Sequence, residues 1–240
     1  MDDHRAVTIA HAFGNRLDRL ALALAAPVDM VEADVWFHRG RLVVRHERQL
    51  GPLPLLFDAK PARTAVTGLG APALSVGRWY VRLAPAPLAL SQVAAQANGR
   101  KELMLDLKGR ASGVRPAFAT ALVRFLDDQR LTRRVVVCSD DWELLRLVQA
   151  LAPDLRVSYS AKSLRQLERI WRAEDTLPLR AVCVRHGLLD EGLVGRLKER
   201  RTKVFTWTVD ELERARQLQR WGVDGIISND LALLAALKGP

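Results

Sequence analysis

Apolar positions along the chain fall into two alternating rhythms. Short runs rich in Val, Ile and Leu lie at 7–12, 30–37, 102–109, 134–140, 156–160, 181–187, 203–210 and 225–230. Between most of them the spacing becomes helical: Leu17, Leu20 and Leu24 share one face of 16–26. The same period returns over 113–129, 141–151, 163–172, 190–201 and 211–221, and a last helix follows 230. Near-continuous apolar runs such as 135–138 suit parallel strands covered on both faces. Eight strand-led units in 240 residues predict one α/β domain over 1–240, a closed (β/α)8 TIM barrel rather than an open sheet. A short extended run at 41–47 is joined to the second strand by a turn at Arg39-Gly40. From about 48 to 88 the rhythm lapses under Pro52, Pro54, Pro61, Pro72, Pro85 and Pro87. This stretch is expected to be an irregular excursion from the barrel that covers part of a site. Asp140 with Glu143, Ser163 with Gln166 and Asp210 with Glu213 have the spacing of capping boxes.

Charge narrows the partners. Lys and Arg total 37 against 27 Asp and Glu, a net +10 that favours phosphate esters, anionic lipid surfaces or nucleic acid. The basic residues are scattered and form no recognition motif, so nucleic acid is not expected. Cys138 and Cys183 sit in apolar runs and read as buried small hydrophobes, with no disulfide framework. No run of about 18 apolar residues exists to span a membrane. The first residues are acidic and lack a signal-like apolar stretch, so a cytoplasmic protein is expected.

Polar residues gather where the predicted strands end, the place where barrel enzymes keep their chemistry. His11 ends the first strand, Glu32 and Asp34 lie in the second, His46 follows it, and Asp106 and Lys108 lie in the third. Residues two apart on a strand share a face, so Glu32 and Asp34 point together, as do Asp106 and Lys108. Three acids converging in one barrel mouth repel one another. A hard divalent cation, Mg2+ or Ca2+, resolves that repulsion. Two histidines beside such a cluster can activate a nucleophile and protonate a leaving oxygen near neutral pH. Lys108 can hold a phosphate oxygen, and Trp207 can wall the substrate or pack in the barrel. His186, at the end of the sixth strand, is a further candidate for substrate contact; His4 and His38 have weaker claims. Asp224 and Asp230 flank the eighth strand.

At these residues the chain resembles the glycerophosphodiester phosphodiesterase family and the related sphingomyelinase D-like phospholipases. The segment at 29–47, DMVEADVWFHRGRLVVRHE, is similar to the family's metal-binding strand and following histidine. The segments LMLDLKG, VFTWTVD and GVDGIISND are similar to its later motifs, in family order. The resemblance implies that Glu32, Asp34 and Asp106 are metal ligands and that His11 and His46 are catalytic. It also implies that Lys108 and Trp207 contact a small phosphodiester or lysophospholipid. The family pattern continues its first histidine with Arg-Gly and, later, Glu-Asn-Thr, whereas His11 is followed by Ala12-Phe13-Gly14-Asn15. That departure motivates an alternative expectation, a non-catalytic barrel that binds phosphorylated ligands. Which histidine is acid and which is base stays open.

Overall fold

The computed structural model describes residues 5–50, 53–59, 73–109, 112–173 and 179–239. The chain runs β1 (Val7–Ala10), α1 (Leu17–Ala25), β2 (Met30–His38), β3 (Arg41–Val44), β4 (Arg48–Gln49), β5 (Leu55–Ala59), β6 (Ala73–Val76), β7 (Trp79–Leu83), β8 (Leu88–Ala89), α2 (Leu90–Ala97), β9 (Glu102–Leu107), α3 (Arg115–Asp128), β10 (Val135–Ser139), α4 (Trp142–Leu151), β11 (Arg156–Ala161), α5 (Leu164–Ala173), β12 (Ala181–Arg185), α6 (Glu191–Glu199), β13 (Lys203–Trp207), α7 (Leu212–Arg220), β14 (Gly225–Ser228) and α8 (Leu231–Ala236). Eight strands pair in parallel in the order β1-β14-β13-β12-β11-β10-β9-β2, and β1 pairs with β2 to close the ring. This is the (β/α)8 barrel that the alternation predicts. Among the described residues no helix is long and apolar enough to cross a membrane.

Alternate residues of each strand face opposite ways. Leu103, Leu105 and Leu107 of β9 join an outer core with Phe118 and Leu122 of α3. Ile9, Met30, Met104, Val136, Phe205 and Ile227 form the inner core, together with Cys138 and Cys183. Both cysteines are buried free thiols, as expected.

The excursion after β3 lies where the rhythm lapses, but its described parts are not irregular. They form an antiparallel sheet in the order β4-β5-β7-β6. Its strands have two to five residues and fit between the prolines, too short a span for alternation to stand out against turn residues. β3 folds back on β2 through Arg39 and Gly40, both at positive φ. α2 went unrecognised in the pattern, although Leu90, Val93, Ala94 and Ala97 are buried at helical spacing. Two caps also differ. Asp141, not Asp140, caps α4, while Asp140 pairs with Lys162. Glu211, not Asp210, stands in the N-cap position of α7, which frees Asp210 for the barrel mouth. Ser163 does receive the Gln166 amide.

Candidate active site

Strand alternation stacks the barrel interior. Going up β2, Met30 is followed by Glu32 and Asp34; going up β9, Met104 is followed by Asp106 and then Lys108. In register, Glu32 lies beside Met104 and Asp34 beside Asp106. One carboxylate oxygen from each of Glu32, Asp34 and Asp106 lies within 4.8 Å of the others. Lys108 Nζ is 2.8 Å from Asp34 Oδ1 and also pairs with Asp106.

Burial governs the protonation of this group. Burial, with Asp34 alongside, pushes Glu32 well above the usual carboxyl range, and burial also raises Asp106. It works upward on Asp34 too, but Lys108, His46 and His11 outweigh it and hold that carboxyl below its usual value. Burial works against the Lys108 charge, and Asp106, Asp34 and Glu32 more than reverse it. Three carboxylates and one ammonium carry two uncompensated negative charges when ionised. An all-oxygen donor set with that charge fits a hard divalent cation.

The loop after β1 steadies two of the acids. Ala12 donates its backbone N–H to Glu32 Oε2 at 2.5 Å. Asn15 Nδ2 donates to Asp34 Oδ2 at 2.6 Å, and Asn15 Oδ1 accepts the Asp34 amide at 2.8 Å. Gly14 lets this loop lie against β2: a Cβ there would be 2.6 Å from Ala33 Cβ and 2.9 Å from Glu32 O. Gly14→Ala is therefore expected to push the loop outward and destabilise the fold by about 1–3 kcal/mol. It should also weaken divalent-cation binding. Thermal melts and a cation titration of the variant check both effects.

The two histidines sit in opposite environments. Asn229 Nδ2 and its amide donate to Asp210, so Oδ1 is the end that faces His11 Nδ1, at 2.9 Å. His11 Nδ1 is then the protonated nitrogen, leaving Nε2 as a proton acceptor. Burial lowers the His11 pKa. His46 Nδ1 is hydrogen-bonded to Asp58 of β5, and that bond raises the His46 pKa.

His11, Glu32, His46, Asp106, Lys108 and Trp207 line one cavity of about 500 Å³, with Asp34 just beneath, bonded to Lys108. All seven residues to which the family resemblance gave a role meet at this mouth. Trp36, Arg48, Gln49 and Lys162 also line it. A larger cavity, about 660 Å³, opens at the opposite mouth and has no histidine among the described residues of its wall. His186 does not line this first cavity; its carbonyl receives Arg214. Asp224 pairs with Lys198 and takes the Val204 amide at the amino end of the barrel. Asp230 caps α8. His38 ends β2 near the turn, and His4 lies outside the described residues. Sequence reasoning missed Asp58 and Asn229 as partners of the histidines, and Asp210 as the partner of Asn229. The only signal for the last two was their position at strand ends.

The family model described as the Glycerophosphoryl diester phosphodiesterase family matches residues 79–233. The chain is similar to Glycerophosphodiester phosphodiesterase GDPD4 of Arabidopsis thaliana, 23% identical over 232 residues, covering 94% of this chain and 69% of that protein. Among solved structures, a Silicibacter pomeroyi protein superposes with a TM-score of 0.76 at 23% identity, covering 98% of this chain and 93% of that one. An Oleispira antarctica phosphodiesterase, in complex with the product sn-glycerol-3-phosphate, gives a TM-score of 0.71 at 19% identity and covers 98% of each chain. Because the family model spans more than half of the sequence, this chain is a phosphoric diester hydrolase that belongs to the glycerophosphoryl diester phosphodiesterase family.

Proposed function

We propose that the chain, acting as one barrel domain, hydrolyses small glycerophosphodiesters or lysophospholipids with a divalent cation and two histidines. The observation that carries this reading is the meeting of His11, His46, three acids and Lys108 around one cavity. Glu32, Asp34 and Asp106 would hold Mg2+ or Ca2+. Bound there, the cation would supply Lewis-acid stabilisation of charge developing on the phosphoryl oxygens. Lys108 adds a fixed positive charge beside the same oxygens. Trp207 and Trp36 give the headgroup an apolar wall. The relative with sn-glycerol-3-phosphate bound supports a glycerol-phosphate moiety as the recognised portion.

The environments of the histidines support a division of roles between them. His11, with its pKa lowered and Nε2 free, takes the proton from the attacking hydroxyl, either of water or of the substrate itself. His46, held protonated by Asp58, gives a proton to the leaving oxygen. The Arg that the family places after its first histidine is Ala12 here, and Ala12 serves Glu32 through its backbone N–H, which any residue except proline can supply.

Two experiments test this. Glycerophosphocholine, lysophosphatidylcholine and an activated diester are incubated with Mg2+, Ca2+ or EDTA; turnover that ignores EDTA would sink the cation reading. For the acid role, activity needs His46 protonated, and Asp58 is the largest cause of its raised pKa. Asp58→Asn should therefore move the alkaline limb of the kcat/KM profile to lower pH and leave the acid limb, set by His11, in place. An unmoved alkaline limb would remove His46 from that role.

A further inference from the structure

The inserted sheet has two unlike faces. On the face turned to the barrel, Leu56 and Tyr80 are buried, Asp58 reaches His46, and Arg82 and Tyr80 reach Glu47. The register puts Leu55 and Phe57 of β5, Leu74 of β6, and Trp79, Val81 and Leu83 of β7 together on the other face. The ring contact between Phe57 and Trp79, 6.3 Å between centroids, confirms the shared side. Among the described residues nothing closes over this second face: Leu74 is 71% exposed, Leu83 64% and Trp79 42%. Leu50, bonded by its amide to the Leu55 carbonyl and 45% exposed, extends it. Single exposed leucines are ordinary, but a contiguous apolar sheet face marks an interaction surface.

Charge and position identify the partner. Among the described residues of the insertion the only acids are Glu47 and Asp58, and both are engaged on the barrel side. Arg48 lies across from Phe57 on the open face, and Arg78 stands over the Trp79 ring at 5.4 Å. An apolar patch with a tryptophan, edged by arginines and free of acid, suits the boundary of an anionic bilayer. The face also runs into the catalytic cavity, because Phe57 and Arg48 line that cavity. We infer that the exposed face of the inserted sheet docks on an anionic lipid surface, presenting the barrel mouth to phosphodiesters held there.

Docking belongs to this sheet and not to the catalytic groups, so vesicle binding is its readout whether or not the proposed reaction is correct. The full chain is sedimented with vesicles of equal phosphatidylcholine and phosphatidylglycerol, and with vesicles of phosphatidylcholine alone. The wild type should bind the anionic vesicles, more weakly as salt rises and more weakly on neutral ones. Leu74→Ser with Leu83→Ser should weaken binding by about tenfold or more, since burying one leucine is worth roughly that factor. Arg78→Ala should weaken it on anionic vesicles only. Circular dichroism checks that these surface variants stay folded. Failure of the wild type to bind, or equal binding by the leucine double variant, would overturn the inference. So would sedimentation velocity that finds a dimer, dissociated by the leucine changes, in a protein that ignores vesicles; the occupant would then be a second copy of the chain.

Discussion

Replacing His11 or His46 with alanine is expected to lower kcat/KM by about 10²–10⁴-fold, the usual contribution of a positioned acid or base. The loss should fall mainly on kcat, because each ring is proposed to act on a proton in flight and neither belongs to the oxygen donor set of the acids. Cation affinity and melting temperature should stay near wild type. The double variant should lose little more than the worse single variant, since the two proton transfers serve one displacement. His186→Ala is the control: His186 lies outside the cavity wall and its replacement should leave turnover intact. A loss of less than tenfold in either single variant would return the mouth residues to a binding role.

Stripping the divalent cation should cost about 10²–10⁴-fold in activity, the several kcal/mol of transition-state stabilisation that such ions provide. It should also change how stability depends on pH. Burial raises the Glu32 carboxyl in the folded chain above its unfolded value. The folded state therefore holds that proton more tightly than the unfolded chain does. The resulting stabilisation is full below the ordinary glutamate range and is lost as pH rises through the raised value. The cation-free protein should melt at lower temperature as pH climbs across that window. Cation binding should reverse the trend, because it stabilises the ionised carboxylates and adds its own binding free energy to the fold. Glu32→Gln should flatten the pH slope of the cation-free protein and abolish the rescue. Melting curves across pH, with and without cation, decide it. A wild-type protein with no such slope would mean that Glu32 is not the stressed member of the cluster.

The barrel was legible because parallel strands buried on both faces write near-continuous apolar runs, and because the acids interrupt those runs at inward positions. Glu32, Asp34 and Asp106 could be grouped from period-two spacing on strands that turned out to be neighbours. What sets the histidines apart was not legible. Asp58 reaches His46 from a sheet whose strands are hidden among prolines. Asn229 meets His11 across 218 positions, only because β14 closes the ring beside β1. Asp210 looked like a cap since its spacing to Glu213 fits one, and a shift of one residue in the start of α7 gave it to Asn229 instead. Local spacing speaks for contacts within an element or between sequential ones. The proposed acid and base roles depend on contacts that exist only after closure.

The stacking of the barrel interior has an evolutionary corollary. Ile9, Met30, Met104, Phe205 and Ile227 form an apolar plug beneath the ionic layer, while Trp36 and Trp207, proposed to meet the headgroup, stand on β2 and β13 above it. Selection can then rework the upper storey for a new alcohol or a new surface without disturbing the plug. Depth along the barrel axis thus sorts heritable change into two kinds, one that alters what the molecule consumes and one that alters whether it exists as a folded molecule at all.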